Sequence, residues 1–385
     1  MIPYLILFVI VFIGIVKGDI EKSINKKRLY FVLLCLLIFF TCFHYRLGND
    51  SLEMEDVFYP SVPTLDNLKA SDFLELGSEP LFILTCSILK SIWNNYLLFQ
   101  IVHGLFVSIV LMKFFWRRSF VPFIAVFIYF TFTYYYYNFE VQRQSIAIGI
   151  FLLIENYIRE KNYFKYCVGA MLAFGFHFTG IFLLALPFIK IKINKKSWIA
   201  LGILSVIFFI IGTKFQNIAD TGILLASESL TRKLYAYTDE ERMEGGINLY
   251  VLLTKVVFPL FLVLVGKKHI REEYHTYLFF FLIFSFATSF SVAILNRFAD
   301  YFTPFYILML ANYIYSISQT KRQPVATVIK TFVFLFVFTF NFYSWFMIKS
   351  YNPKLRNYVK IYPYSSVFFP EKSPDRENAG WKYLY

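Results

Sequence analysis

Apolar stretches about as wide as a bilayer recur along the whole chain, at 1–16, 29–45, 96–115, 119–137, 197–213, 248–265, 275–295 and 326–347. Polar, charged linkers separate them. A helix of roughly 16–22 residues covers the ~30 Å of a hydrocarbon core, whereas a membrane barrel would show alternating segments about ten residues long. Two segments depart from this rhythm. Residues 80–93 are too short to cross, open at Pro80 and carry Lys90 near their end. Residues 164–189 divide near Gly175–Gly180 into two short halves, and segments that stop short of the far interface line a hollow rather than face lipid. The pattern predicts an all-α multi-pass membrane protein of about twelve crossings. A re-entrant or interfacial helix near 80–93 and a polar cavity open to the external face complete it. Residues 1–348 read as one polytopic domain with external loops 46–79 and 214–247, and residues 349–385 as an external tail packed on it.

Composition agrees with the bilayer reading: of 385 residues 58% are hydrophobic and 22% aromatic. The formal charge of +13 does not point to nucleic acid, because in a membrane protein excess Lys and Arg mark the loops retained in the cytoplasm. The first run lacks a basic leader and a small-residue cleavage site, so it reads as a retained span. The linker "KGDIEKSINKKR" is basic and should be cytoplasmic, while loop 46–79 carries eight acids against Arg46 and Lys69 and should be external. If 80–93 crossed, every later basic linker would be inverted; if it does not, all fall inside. Both termini are then external. Cys35, Cys42, Cys86 and Cys167 lie in or beside apolar runs and read as packing residues.

Against this background the stretch "YYYYNFEVQRQSIAIG" (134–149) is out of character, with Glu140, Gln142, Arg143 and Gln144 where two apolar runs meet. A long side chain at a span end can simply snorkel to the headgroups. Arg46, Arg143 and Arg297, however, all lie on the external side, against the positive-inside trend. Glu140, three residues before Arg143, is a candidate partner for it. His177 sits in the break between the two short halves, flanked by Gly175 and Gly180, and His103 in mid-span reads as structural. The tyrosines 134–137 suit either sugar stacking or an interfacial belt. No D-x-D pair, P-loop, dinucleotide fingerprint, HExxH or G-x-S-x-G occurs, which argues against a nucleotide-driven soluble catalytic domain. No metal or cofactor is expected.

The segments "HYRLGNDS", "SEPLF", "VQRQSIAIGI", "FGFHFTGIFLLALP", "NRFADYF" and "YPYSSVF" follow one another in the order and approximate spacing of EpsG-like, or Wzy-type, polysaccharide polymerases, which the chain resembles over nearly its whole length. The resemblance implies an enzyme that joins oligosaccharide repeat units carried on undecaprenyl pyrophosphate, at the outer face of a bacterial cytoplasmic membrane. A flippase and a chain-length regulator would be its neighbours, and membrane lipid its surroundings. It matches Arg46, Gly48 and Asp50 to the family's Arg…Gly-x-Asp element, Glu79 to the acid before the third segment, and Arg143, Gln144, His177 and Arg297 to its other polar marks. One departure is "SLEMEDVF", where relatives often carry a Tyr shortly after the Asp. For such a reaction Arg143, Arg297 and then Arg46 would clamp pyrophosphate, since guanidinium binds phosphate oxygens bidentately. Asp50, His177, Glu79 and Glu140 are the candidate bases, and Gln142, Gln144 and Tyr301 complete the substrate-binding set. The alternatives are a flippase of the same lipid-linked sugar and a ligase-like glycosyltransferase.

Overall fold

The computed structural model describes residues 2–220, 256–289, 295–319 and 355–380. The expected span at 326–347, the start of the run 248–265 and most of loop 214–247 lie outside the described residues. Among the described residues all regular structure is helical, and β pairing is limited to the isolated bridges His44–Ser366 and Ser366–Phe369. Two of these helices, Pro3–Ile20 and Tyr96–Arg118, are long and apolar enough to cross a membrane. Pro80–Ile92, Pro122–Phe132, Tyr163–Phe176 and Phe178–Phe188 are apolar but shorter. The all-α class therefore stands, and the number of crossings remains an expectation.

The chain forms two compact units, residues 1–183 with 314–385, and residues 184–313. In the first, helices α1 (Ile2–Gly14, continued as a wider turn to Ile20), α2 (Lys26–Cys42), α3 (Pro80–Ile92), α4 (Tyr96–Arg118), α5 (Pro122–Phe132), α6 (Gln142–Arg159) and α7 (Tyr163–Phe176) follow in order. α2 packs on α4, α4 on α6, and α6 on α7. Polar contacts mark the two ends of this bundle. At one end the Gln100 amide donates to the Cys42 and His44 carbonyls at 2.8 and 2.7 Å, and Thr41 Oγ1 meets the Tyr134 hydroxyl at 2.8 Å. At the other, the Tyr30 hydroxyl donates to the Met112 carbonyl at 2.8 Å, and Asp19 Oδ2 accepts from the Ile124 N–H at 2.9 Å. The first is called the loop end below. In the second unit, Lys195–Asp220 and Phe258–Gly266 pack on His275–Ser289, which meets the first part of Asn296–Gln319 through aromatic side chains, with Phe281 and Tyr306 stacked at 4.3 Å.

The run 119–137 is not one continuous α-helix. α5 ends at Phe132, and the chain turns through Tyr136–Glu140 before α6. The turn swings Tyr134 and Tyr137 into the core, at 1% and 0% exposure, and the Asn138 amide donates to the Tyr129 hydroxyl and the Tyr134 carbonyl. Two of the four tyrosines are thus core residues, unavailable to a sugar or to an interfacial belt.

The division of 164–189 occurs where the glycines suggested. α7 stops at Phe176, His177 is extended (φ −155°, ψ 128°), and a 3₁₀ helix runs from Phe178 to Phe188. That helix folds back along α7, so that the Tyr166 hydroxyl reaches the Leu183 carbonyl at 2.8 Å. A Cβ at Gly180 would fall 2.6 Å from the Phe174 nitrogen, which is why the reversal needs glycine there.

α3 has 13 residues, about 20 Å of helix, well under the hydrocarbon thickness. Its first residues meet the start of α6 through Glu79 and Arg143, and Tyr96, just past its end, meets the same turn of α6 through Gln142. Lys90 Nζ, near its end, donates to the carbonyls of Tyr59, Pro60 and Val62 in loop 46–79. Both ends of α3 therefore lie at the loop end, the geometry of a segment that does not cross. Single cysteines introduced at Lys69 and Asn94, in a background without the four native ones, should be labelled from the same face of sealed vesicles. Labelling from opposite faces would make α3 a crossing.

Candidate functional site

The loop that follows α2 docks on the start of α6 almost residue by residue. Gly48 takes φ +77°, and a Cβ there would lie 2.3 Å from the Phe139 carbonyl oxygen, so only glycine lets the two backbones approach. The Asn49 N–H points to Glu140 Oε1 at 3.3 Å, and Asp50 Oδ2 accepts the Gln142 N–H, the first of α6, at 2.9 Å. Gln142, with no exposed surface, completes the contact: its amide donates to Ser51 Oγ at 3.2 Å and pairs with the Tyr96 hydroxyl at 2.9–3.0 Å. Ser51 Oγ also meets His44 Nε2 at 3.0 Å, and His44 Nδ1 meets the Thr41 carbonyl at 2.6 Å. Because a carbonyl only accepts, Nδ1 carries a proton, and in the neutral ring Nε2 accepts from the serine.

Arg46 anchors this loop from the other side. It is 3% exposed, bidentate to Asp56 at 2.7 and 2.5 Å and bidentate to Glu377 at 2.8 and 2.6 Å, with Glu55 at 3.5 Å. Burial alone would draw the guanidinium down, but the Glu377 and Asp56 carboxylates outweigh it and hold Arg46 above its ordinary value. The guanidinium fork is occupied by carboxylates, so Arg46 serves the loop as an anchor.

One turn into α6 the character changes. Arg143 keeps about a third of its side chain exposed and donates through one terminal nitrogen to Ser78 Oγ at 2.9 Å and Glu79 Oε2 at 3.1 Å. Its guanidinium lies 5.7 Å from the centre of the Phe82 ring, a cation–π placement. The other carboxylate oxygen of Glu79 accepts the Phe178 N–H at 3.3 Å, at the break after α7. His177 is held beside it, with Nδ1 2.6 Å from Thr179 Oγ1. Glu79 thus joins three segments distant in sequence: the start of α3, the first turn of α6 and the α7 break. Among the described residues no three His, Cys, Asp or Glu side chains gather so as to hold a metal ion.

A sequence model of the EpsG family matches residues 27–366, a span that contains the docked loop, α3, the start of α6, the α7 break and the first part of the described tail. The chain belongs to the EpsG family. No curated protein and no solved structure matches it. EpsG membership supports a role in polysaccharide biosynthesis and association with a membrane.

In this EpsG protein the residues singled out from sequence separate by place. Arg143, Glu79 and His177 come together. Asp50, Gln142 and Arg46 form the support behind them. Glu140 does not pair with its near neighbour Arg143; its Oε2 faces Lys360 Nζ at 3.6 Å, because α6 begins only at Gln142 and the i, i+3 relation has no continuous helix to act through. Gln144 is 1% exposed. Arg297 and Tyr301 belong to the second unit, on Asn296–Gln319, where Arg297 is partly exposed and Tyr301 buried at 1%. His103 is a structural residue, its Nε2 2.8 Å from Ser145 Oγ. Sequence reading missed Ser78, Lys360 and Glu377. Ser78 stood next to a quoted acid and was within reach of inspection, but nothing in the sequence links the tail residues to a loop more than 300 positions away.

The tight fit of Gly48 gives a test. Gly48→Ala should cost roughly 1–2 kcal/mol for the left-handed backbone alone, and more for the overlap with Phe139. Gly77 shares the positive φ (+58°) but has open space around its Cβ position, so Gly77→Ala should cost the backbone term only. Thermal unfolding in detergent should rank Gly48→Ala well below Gly77→Ala; equal midpoints would rule out the close backbone contact.

Proposed function

We propose that the protein is a polysaccharide polymerase, a membrane glycosyltransferase that joins undecaprenyl-pyrophosphate-linked repeat units at the outer face of the cytoplasmic membrane. Family membership supports the class. The observation that carries the site is the Arg143–Glu79 pair at the α7 break, where a partly exposed guanidinium is bonded to a carboxylate whose other oxygen accepts the N–H of Phe178, the residue after His177. In the proposed reaction an acceptor hydroxyl oxygen attacks the anomeric carbon of the donor. The bond from that carbon to the pyrophosphate oxygen breaks, the lipid pyrophosphate leaves with the electron pair, and the hydroxyl proton passes to a base.

Arg143 would meet the developing charge on the leaving group. Pre-placed donors aimed at such charge, in a site of low dielectric, supply the largest share of catalysis in many enzymes. A pyrophosphate would compete with Glu79 for the guanidinium, and the carboxylate so displaced is itself a base beside the bound substrate. His177, oriented by Thr179, is the other base this geometry favours. Asp50 and Glu140 are engaged with backbone N–H groups and, for Glu140, with Lys360. The lipid-linked oligosaccharide is the proposed substrate, with a flippase and a chain-length regulator as proposed neighbours.

Arg143→Lys keeps the charge and loses the fork, so it separates a clamp from a snorkelling anchor. In the native host, with membrane levels confirmed, the variant should lose the long-chain ladder on a polysaccharide gel while single repeat units still reach the surface. A fall of about a hundredfold in chain formation is expected. An unchanged ladder would return Arg143 to an anchoring role. Absence of all units from the surface would favour the flippase.

A further inference from the structure

The element "RLGND" carries an acid that the family resemblance offered as a base, yet its geometry points elsewhere. α6 opens without a capping side chain of its own: its N-cap is Val141, whose side chain has no oxygen to offer, and the backbone there is neither helical nor extended (φ −141°, ψ 52°). A helix start leaves N–H groups unsatisfied, and a buried one must find an acceptor. Asp50 Oδ2 supplies it to the Gln142 N–H at 2.9 Å, from a loop 92 positions earlier. Three further contacts hold Asp50 in register with this turn. Gly48 abuts Phe139, the Asn49 N–H bonds to Glu140, and Ser51 receives the Gln142 amide. The residue after Gln142 is Arg143.

We infer that Asp50 is a positioning residue: it caps the first turn of α6 from outside and so fixes where the Arg143 guanidinium lies, and it takes no proton in the reaction. The inference rests on the proposed role of Arg143 for its effect on activity, though not for the cap itself. A carboxylate at a helix N-terminus is favoured by the helix dipole as well as by the hydrogen bond, which explains an acid in this place without recourse to catalysis. The tail reinforces the arrangement, because the Gly48 N–H donates to the Lys360 carbonyl at 2.9 Å while Lys360 Nζ faces Glu140.

The experiment compares Asp50→Asn with Asp50→Ala in the full chain. Asparagine keeps an acceptor oxygen in the same place and cannot act as a base at neutral pH; alanine removes both functions. Two readouts are taken: chain formation from lipid-linked repeat units in vesicles, and backbone hydrogen exchange of the segment 139–145 in detergent. A cap predicts that Asp50→Ala speeds exchange and lowers chain formation by about tenfold, while Asp50→Asn stays within about threefold on both, with an unaltered pH profile. A base predicts that both variants lose about a hundredfold or more of chain formation with exchange unchanged, and that result would overturn the inference. If Asp50→Ala fails to reach the membrane, Asp50→Asn decides alone: wild-type exchange with chain formation retained supports the cap, and wild-type exchange with chain formation lost refutes it. If the wild-type protein forms no chains at all, the polymerase reading fails, and exchange in Asp50→Ala still decides the cap.

Discussion

A helix that begins inside an apolar bundle leaves backbone N–H groups with no water to satisfy them, and the first unit meets this need with borrowed acids. α5, α6 and the 3₁₀ helix begin after Val121, Val141 and His177, and the described bonds to their first amides come from elsewhere in the chain. Asp19 accepts the Ile124 N–H, Asp50 the Gln142 N–H and Glu79 the Phe178 N–H. Each acid lies about 90–105 positions earlier in the chain, so each cap also ties two distant segments together. An ordinary cap contributes about 0.5–2 kcal/mol, and a charge-assisted bond is roughly twice as strong as a neutral one. Two of the acids also have a cationic partner: Lys26 stands 3.0 Å from Asp19, and Arg143 3.1 Å from Glu79.

Support for the site is consequently layered rather than local. The tail at 355–380 bonds to the loop after α2 through Ser365 to Tyr45, Lys360 to Gly48 and Glu377 to Arg46. That loop caps α6, and α6 presents Arg143. Arg46 is the point where this chain of support is most vulnerable, since removing one partner of a buried ion pair costs roughly 3–5 kcal/mol through the charge left behind. With two bidentate carboxylates around one guanidinium, the geometry is of the kind that offsets desolvation. Arg46, the arginine matched to the family's Arg…Gly-x-Asp element, is thus held by carboxylates of the loop and the tail.

Much of this was legible in the sequence where the signal is local. Pro80 after Glu79 marked the start of α3, and the glycines around His177 marked the break after α7. Failures occurred where spacing was taken for proximity. Glu140 and Arg143 are three apart, yet a turn of different geometry lies between them, so Glu140 faces the tail. The run 119–137 has the length of a span, but Thr133 ends its helix and two tyrosines fold inward. Hydropathy counts residues and does not see where a backbone changes direction. Arg46, Asp50 and Gln142, singled out by residue type, have partners that spacing could not show: carboxylates from the loop and the tail, a helix N–H, and a serine and tyrosine.

Three acids sharing one task raise the question of which can do another as well. Asp19 and Asp50 sit where the capped N–H and their other partners occupy them, at helices whose first turn must stay fixed. Glu79 differs in its pairing: its second oxygen is held by Arg143, a third of which reaches the surface. A polyanion that captured this guanidinium would remove that carboxylate's counter-charge while leaving its bond to Phe178 intact. On the proposed reading, arrival of the pyrophosphate would therefore release this carboxylate from its ion pair in the same event that neutralises the leaving group.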